Sequence, residues 1–363
     1  MSVQDQPKRL APLEPLLSDP DVVEIMIDGY NKVYIEKQGK GFIDVPTPFR
    51  NEEQLMDVIE AIFVDMVGQK INESNPIADA RLSDGSRVNV VIPPISLSGP
   101  VLTIRKFMGR VLTVQDLLHL GSWSEDIVEF LRACVRGRLN IAVAGGVGSG
   151  KTAVLNLIAG MIPPDERIIT VENAGELQLP KELRRVIRLE SRPPNIEGRG
   201  EVSIRDLVIN SLRMRPDRIV VGEVRGNEAF DLFQAMNTGH DGTMMTIHAN
   251  SVRDALTRLE TVITLSLPSL PLLSVRQQMA SALDLITHQE RLQDGSRKIL
   301  KVTEVVGMQG DVIELQDIFE FRRTGVEDGK IKGHFTATGH IPRFLNRIQA
   351  AGVDLPMSLF TPQ

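Results

Sequence analysis

Asn140-Ile-Ala-Val-Ala-Gly145-Gly-Val-Gly-Ser-Gly150-Lys151-Thr152 is the stretch that decides the fold of this chain. Its apolar head reads as a buried strand. Its tail, followed by the helical run Ala153 to Ile158, fits the pattern G-x-x-x-x-G-K-[ST] in the strand–loop–helix setting that the pattern requires. Glycines let backbone N–H groups close around phosphate oxygens, and the positive end of the next helix adds to the attraction. Gly145, Gly146, Val147, Gly148, Ser149 and Gly150 form the expected cradle, and Ala153 continues the helix behind it. Lys151 is placed for the β- and γ-phosphates, and the Thr152 hydroxyl for Mg2+. The expected ligand is therefore ATP with Mg2+.

Around this loop the apolar runs Arg167-Ile-Ile-Thr-Val and Arg218-Ile-Val-Val-Gly alternate with helical segments from Ser124 onward. That alternation predicts a parallel sheet covered by helices on both faces. Two turn signals near the end, Asp294-Gly295 and Gly310-Asp311, predict an antiparallel appendage. The first hundred residues read differently. Val22–Asp28 and Val33–Glu36 are strand-like, and Asn51 with Gln54 starts a helix with the apolar stripe Leu55, Val58, Ile59, Ile62, Phe63, Met66 and Val67, stopped by Gly68. Asp84-Gly85 marks a hairpin whose second strand turns Val88, Val90 and Ile92 inward, and Leu102–Phe107 is a further strand. The chain thus divides into a smaller α/β N-terminal domain at 1–107, a linker with one short helix at 108–125, and the phosphate-binding domain with its appendage at 126–363.

Carboxylates close two of the buried strands. Gly222 precedes Glu223 and Arg225 at one strand end, where Glu223 suits Mg2+ or the attacking water and Arg225 suits phosphate charge. Glu172, with Glu176 four residues on, ends another, where a carboxylate can polarise water. Ligands of open α/β sheets gather at the carboxyl ends of strands, so both positions are geometrically apt. Either acid alone is equally compatible with a solvated strand end. Asn237-Thr-Gly-His240-Asp-Gly-Thr-Met-Met-Thr-Ile-His248-Ala-Asn250 puts a histidine near each end of a short strand, where the two are expected to sense the nucleotide.

Composition narrows the class. The chain has 363 residues, 42% of them hydrophobic and 24% charged, with a formal charge of -6. An acidic chain with 4% aromatics offers little for stacking single-stranded nucleic acid, so stable nucleic-acid binding is not expected. The one cysteine, Cys134, lies among apolar residues at helical spacing and reads as a small buried hydrophobe in a reducing cytoplasm. The N-terminus lacks a signal-peptide core, and the apolar stretch Thr261–Val275 is interrupted by Pro268 and Pro271. Any membrane contact is expected to pass through partners.

The order of these motifs resembles the type II/IV secretion ATPase superfamily. Arg188-Leu-Glu-Ser-Arg-Pro-Pro-Asn, Leu212-Arg-Met-Arg-Pro-Asp-Arg, Gln234-Ala-Met-Asn-Thr-Gly-His-Asp-Gly and Ala78-Asp-Ala-Arg-Leu-Ser-Asp-Gly-Ser-Arg-Val-Asn resemble in particular the CpaF-like ATPases of Tad pili. The resemblance implies a RecA-like P-loop ATPase domain behind a smaller α/β N-terminal domain, in a homo-hexameric ring. It implies ATP hydrolysis coupled to an inner-membrane platform protein, with the chain cytoplasmic and peripheral at that membrane. Family segments map as a Walker A at Gly145–Thr152, an Asp box at Thr170–Leu177, a Walker B around Glu223 and a His box at Gly239–His248. Arg87 and Arg105, with Arg81, match N-terminal arginines that the family brings to the nucleotide. One departure is Asn173, where the family pairs its glutamate with an aspartate; this keeps open a nucleotide-gated docking module with little hydrolysis. A RecA-like DNA translocase is the remaining alternative.

Overall fold

The computed structural model describes residues 8–37, 41–66, 70–82, 84–107, 112–194 and 199–362. Contacts divide the chain into two units, Met1–Val111 and Leu112–Gln363.

The first unit opens with a short helix α1 (Glu14–Ser18), followed by β1 (Val22–Asp28), β2 (Val33–Lys37), β3 (Gly41–Val45), α2 (Glu52–Glu60), β4 (Ile77–Arg81), β5 (Arg87–Val91) and β6 (Val101–Arg105). The strands form one antiparallel sheet in the order β3-β2-β1-β6-β5-β4. Strand alternation supplies its core: Val88 and Val90 of β5 and Leu102 and Ile104 of β6 are buried with Leu55, Val58 and Ile59 of α2. Asn51 caps α2 by accepting from the Gln54 N–H at 3.0 Å. The Gln54 side chain accepts from the Arg50 N–H at 2.8 Å, one residue before the reciprocal partner that a capping box would use. Beyond Glu60 the helix widens into a π turn at Ala61–Met66, keeping Ile62 and Phe63 buried. Val67 and Gly68, read as its end, lie outside the described residues.

The second unit contains α3 (Val114–His119), α4 (Glu125–Arg136), β7 (Ile141–Gly145), α5 (Lys151–Ala159), β8 (Ile168–Glu172), β9 (Val186–Glu190), α6 (Ile204–Ser211), β10 (Arg218–Val224), α7 (Glu228–Asn237), β11 (Met244–His248), α8 (Val252–Ser266) and α9 (Leu272–Ala282). It ends with β12 (Leu285–Arg291), β13 (Arg297–Gln309), β14 (Val312–Glu327), β15 (Lys330–Ala337) and α10 (Leu345–Ala350). All nine strands join one sheet, ordered β15-β14-β13-β12-β7-β11-β10-β8-β9. From β12 to β9 neighbours run parallel, and the hairpins β12–β13, β13–β14 and β14–β15 extend the same sheet. The antiparallel appendage is therefore continuous with the parallel core.

Both faces of the inner parallel strands are covered, which is why β7, β8, β10 and β11 are mostly apolar and buried. On β7, Ile141 and Val143 join the core beneath α4 and α5, while Ala142 and Ala144 join the core beneath α6–α9. Cys134 is fully buried in the first of these cores. The segment from Leu112 to Glu125 packs with this unit: Leu117 and Trp123 are buried in its core. Pro268 and Pro271 lie between α8 and α9, splitting the apolar stretch into two helices. The β14–β15 turn escaped the sequence reading, although Asp328 and Gly329 have φ of 51° and 72° there, the paired positive values of a tight hairpin turn.

Candidate nucleotide site

The loop after β7 folds as its glycines require. Gly148 and Gly150 take φ of 67° and 93°, and Gly150 is the left-handed residue from which α5 begins at Lys151. Gly145 is needed for space: a Cβ there would strike the Gln289 carbonyl oxygen and the Ser149 hydroxyl. Ser149 is buried and donates its Oγ–H to the Gly146 carbonyl at 2.9 Å. Val147 stands at the exposed tip, and Thr152 and Ala153 are half-buried on the first turn of α5.

Lys151 folds back over the loop, its Nζ donating to the Gly146 carbonyl at 2.9 Å. Partial burial lowers its pKa below the ordinary lysine value, with Glu223 opposing that shift and Arg225 and Arg258 reinforcing it. Glu223, near the carboxyl end of β10, holds Arg225 two residues along, with Nε at 2.8 Å and Nη2 at 2.5 Å from one carboxylate oxygen. The following turn is fixed by the buried Glu228, which accepts from the N–H groups of Arg225 and Gly226 at 2.6 and 2.9 Å.

Glu172 ends β8 inside the protein. One of its oxygens accepts from the N–H groups of Glu176 and Leu177 at 2.7 and 2.8 Å, so the carboxylate shapes the loop in which Glu176 lies. The other, Oε1, is buried with no hydrogen-bond partner. Gly222 leaves it room, since a Cβ there would lie 3.0 Å from Glu172 Cγ. Burial raises the Glu172 pKa, and the two backbone donors and Arg188 only partly offset it. A folded-state pKa above the ordinary value of about 4.5 means that stability is greatest at low pH and falls as pH rises through the folded value. Glu172→Gln removes this dependence. Its melting temperature, relative to the unsubstituted protein, should therefore improve as pH rises above the ordinary carboxyl value of about 4.5. A difference that moves the other way would show that Glu172 is not a strained buried acid.

The two histidines part company. His248 is in register with Gly145 at the carboxyl end of β11, and burial followed by the Lys151 and Arg258 charges lowers its pKa, leaving it neutral at pH 7. His240 precedes the amino end of that strand, where its carbonyl accepts from the Thr243 hydroxyl at 2.8 Å. Strands rise about 3.3 Å per residue, so the length of β11 separates the two rings, and only His248 reaches the loop. The two histidines thus lie at opposite ends of β11, with His248 at the end where the loop begins.

Within the first unit, the register sets Arg81 opposite Arg87 and Arg87 opposite Arg105, with Glu24 beyond, as one row across β4, β5, β6 and β1. Two arginines near the loop carry no sequence signal, and Asn250 closes the histidine-bearing segment without a role of its own assigned there. Arg258 of α8 adds its charge to Lys151 and His248, Asn250 Oδ1 lies 3.6 Å from where a Gly146 Cβ would be, and Arg297 Nε donates to the Gly148 carbonyl at 2.8 Å. Asn250 follows closely on His248, but nothing local marks the arginines.

Comparison with known proteins agrees with this architecture. The family model described as Type II/IV secretion system protein matches residues 6–326. An uncharacterized protein of Methanocaldococcus jannaschii is 42% identical over 65% of the chain, which spans 33% of that protein's length. The type IV secretion system protein PtlH of Bordetella pertussis is 32% identical over 81% of this chain and 93% of its own. Among solved structures, the pilus retraction motor PilT with bound ADP superposes with a TM-score of 0.60 at 21% identity, covering 81% of each chain. The chain belongs to the type II/IV secretion system protein family, with the fold of a RecA-like P-loop ATPase domain preceded by a smaller α/β N-terminal domain.

Proposed function

We propose that this chain hydrolyses ATP as a hexameric motor that drives Tad-type pilus assembly or a related secretion step. The observation that carries the proposal is the convergence of Lys151, Glu223 and His248 at a glycine loop already folded to take phosphate, with Glu172 lying against Gly222 of β10 and one of its buried oxygens unpartnered. Mg2+ fits the donors present, since the Thr152 hydroxyl and the Glu223 carboxylate are hard oxygen ligands; the ion would neutralise phosphate charge.

In this reading Lys151 exchanges the Gly146 carbonyl for phosphate oxygens. Arg225, now paired with Glu223, turns toward the charge that develops on the transferred group. Glu172 accepts a hydrogen bond from the attacking water through Oε1, the buried oxygen that no protein donor satisfies. Neutral His248 contributes a hydrogen bond rather than a third positive charge. Asn173, whose Oδ1 accepts from the Ser191 hydroxyl at 3.2 Å, stands outside this chemistry as a loop-holding amide.

The row Arg81, Arg87 and Arg105 concentrates positive charge on neighbouring strands, and a planar guanidinium suits phosphate oxygens. In the proposed ring, Arg87 and Arg105 close over ATP held by the same or an adjacent subunit. Among the described residues no helix is long and apolar enough to cross a membrane. In the same reading, force is passed to an inner-membrane platform protein, with the motor working at its cytoplasmic face. The test mixes Arg105→Ala subunits with Lys151→Ala subunits. Activity regained in mixed rings places the arginine in a neighbour's site, and none regained places it in its own. A chain that stays monomeric with ATP and Mg2+, or Arg105→Ala with undiminished turnover, overturns the ring mechanism.

A further inference from the structure

We propose that Arg291 and Arg297, facing each other at the mouth of the β12–β13 hairpin, grip the α- and β-phosphates of the bound nucleotide from the flank opposite Glu223. The inference rests on the reading of the loop as a nucleoside triphosphate site.

Strand β12 runs beside β7 with Gln289 in register with Gly145, so its last residues extend past the point where the phosphate loop begins. A turn held by Asp294, which accepts from the Ser296 N–H at 3.0 Å and hydroxyl at 2.6 Å, brings the chain back at Arg297. Arg291 and Arg297 are then direct cross-strand partners. Their stems lie over the middle of the loop. Arg297 Nε donates to the Gly148 carbonyl at 2.8 Å, and a Cβ on Gly150 would sit 3.4 Å from Arg297 Cδ. A Cβ on Gly148 would sit 3.8 Å from Arg291 Nη1.

Like charges directly opposed on a hairpin destabilise it. Among the described residues no carboxylate pairs with Arg291 to relieve the repulsion. Next to it, the Gln289 side chain is buried with its amide oxygen unpartnered, so hydrogen bonding at this edge is incomplete in the protein alone. An anion beside Arg291 offsets the repulsion, and the Arg291 fork can take two phosphate oxygens at once.

Strand order identifies which part of the ligand this is. β7 stands between β12 and β11, with β10 beyond, so Glu223 and His248 mark one side of the loop and the arginines the other. A triphosphate with its terminal group beside Glu223 therefore runs toward β12, presenting its inner phosphates to Arg291 and Arg297. The sequence concealed this because the two residues belong to a distant hairpin and carry no motif.

The test is equilibrium titration of the full chain with ADP and with ATP, for the unsubstituted protein, Arg291→Ala, Arg291→Lys and Lys151→Ala. Arg291 is the first choice because Arg297 also braces the loop backbone. Arg291→Ala should weaken ADP and ATP by the same factor, about tenfold, the scale of one charge-assisted contact. It should also flatten the salt dependence of ADP binding, a change that a purely structural role would not cause, and Arg291→Lys should recover part of the affinity. ADP affinity within about twofold of the unsubstituted protein, or a loss confined to ATP, overturns the proposal. If Lys151→Ala loses nucleotide while Arg291→Ala does not, this proposal alone fails. If the unsubstituted chain binds neither nucleotide, the reading of the loop fails with it.

Discussion

Lys151→Ala should weaken ATP binding at least roughly a hundredfold and bring turnover to background, because an ammonium making two or more charge-assisted hydrogen bonds to phosphate is worth that much. The fold should survive. In the protein alone, Lys151 Nζ makes one hydrogen bond, to the Gly146 carbonyl, while the loop is held independently by Ser149 and by Arg297 on Gly148. The Gly146 carbonyl keeps the Ser149 hydroxyl as a donor, so the loss of Lys151 leaves that acceptor paired. Isothermal titration with ATP and a thermal melt together check this. Normal affinity would remove Lys151 from the site, and a collapsed melt would make it structural.

Glu223→Gln should behave differently, keeping ATP affinity while lowering turnover by at least roughly a hundredfold, the lower range for a positioned catalytic group. The amide preserves size and hydrogen bonding at the end of β10 but removes the charge that holds Arg225 and faces Mg2+. Since the Arg225 side chain is 62% exposed, losing this ion pair should cost little stability. Single-turnover phosphate release compared with equilibrium binding separates the two effects. Binding and turnover lost together would show that Glu223 builds the site rather than acting in it.

These two residues were legible in the sequence because their local context is demanding. Gly145 has no space for a side chain, Gly148 and Gly150 take positive φ, and an apolar strand must lead into the loop. The parallel strands could be read for a similar reason: covered on both faces, β7, β8 and β11 are buried runs that admit polar side chains only sparingly, with Glu172 and His248 at their carboxyl ends. β15 alternates polar and apolar residues behind the Asp328-Gly329 turn, but its partner strand β14 is exposed from Arg323 to Glu327, so the hairpin has no buried run to mark it.

Residues that reach the site across the fold left no local trace. Arg258 on α8 resembles any solvated helix arginine, and only the pairing of β12 with β7 sets Arg291 and Arg297 against the loop. His240 shows the opposite case. Its nearness to His248 in sequence suggested a pair, but β11 spans the sheet between them, so adjacency along a strand became separation in space. Glu172 was correctly placed at a strand end, yet its two different oxygens, one binding the 176–177 backbone and one unpartnered, follow from the loop's path rather than from residue type.

The most direct measurement is steady-state phosphate release by the purified chain with ATP and Mg2+, run beside Lys151→Ala and Glu223→Gln at equal concentration. The account predicts release from the unsubstituted protein that both variants lose, with Glu223→Gln still binding ATP. Release from the unsubstituted protein no greater than from Lys151→Ala would contradict it.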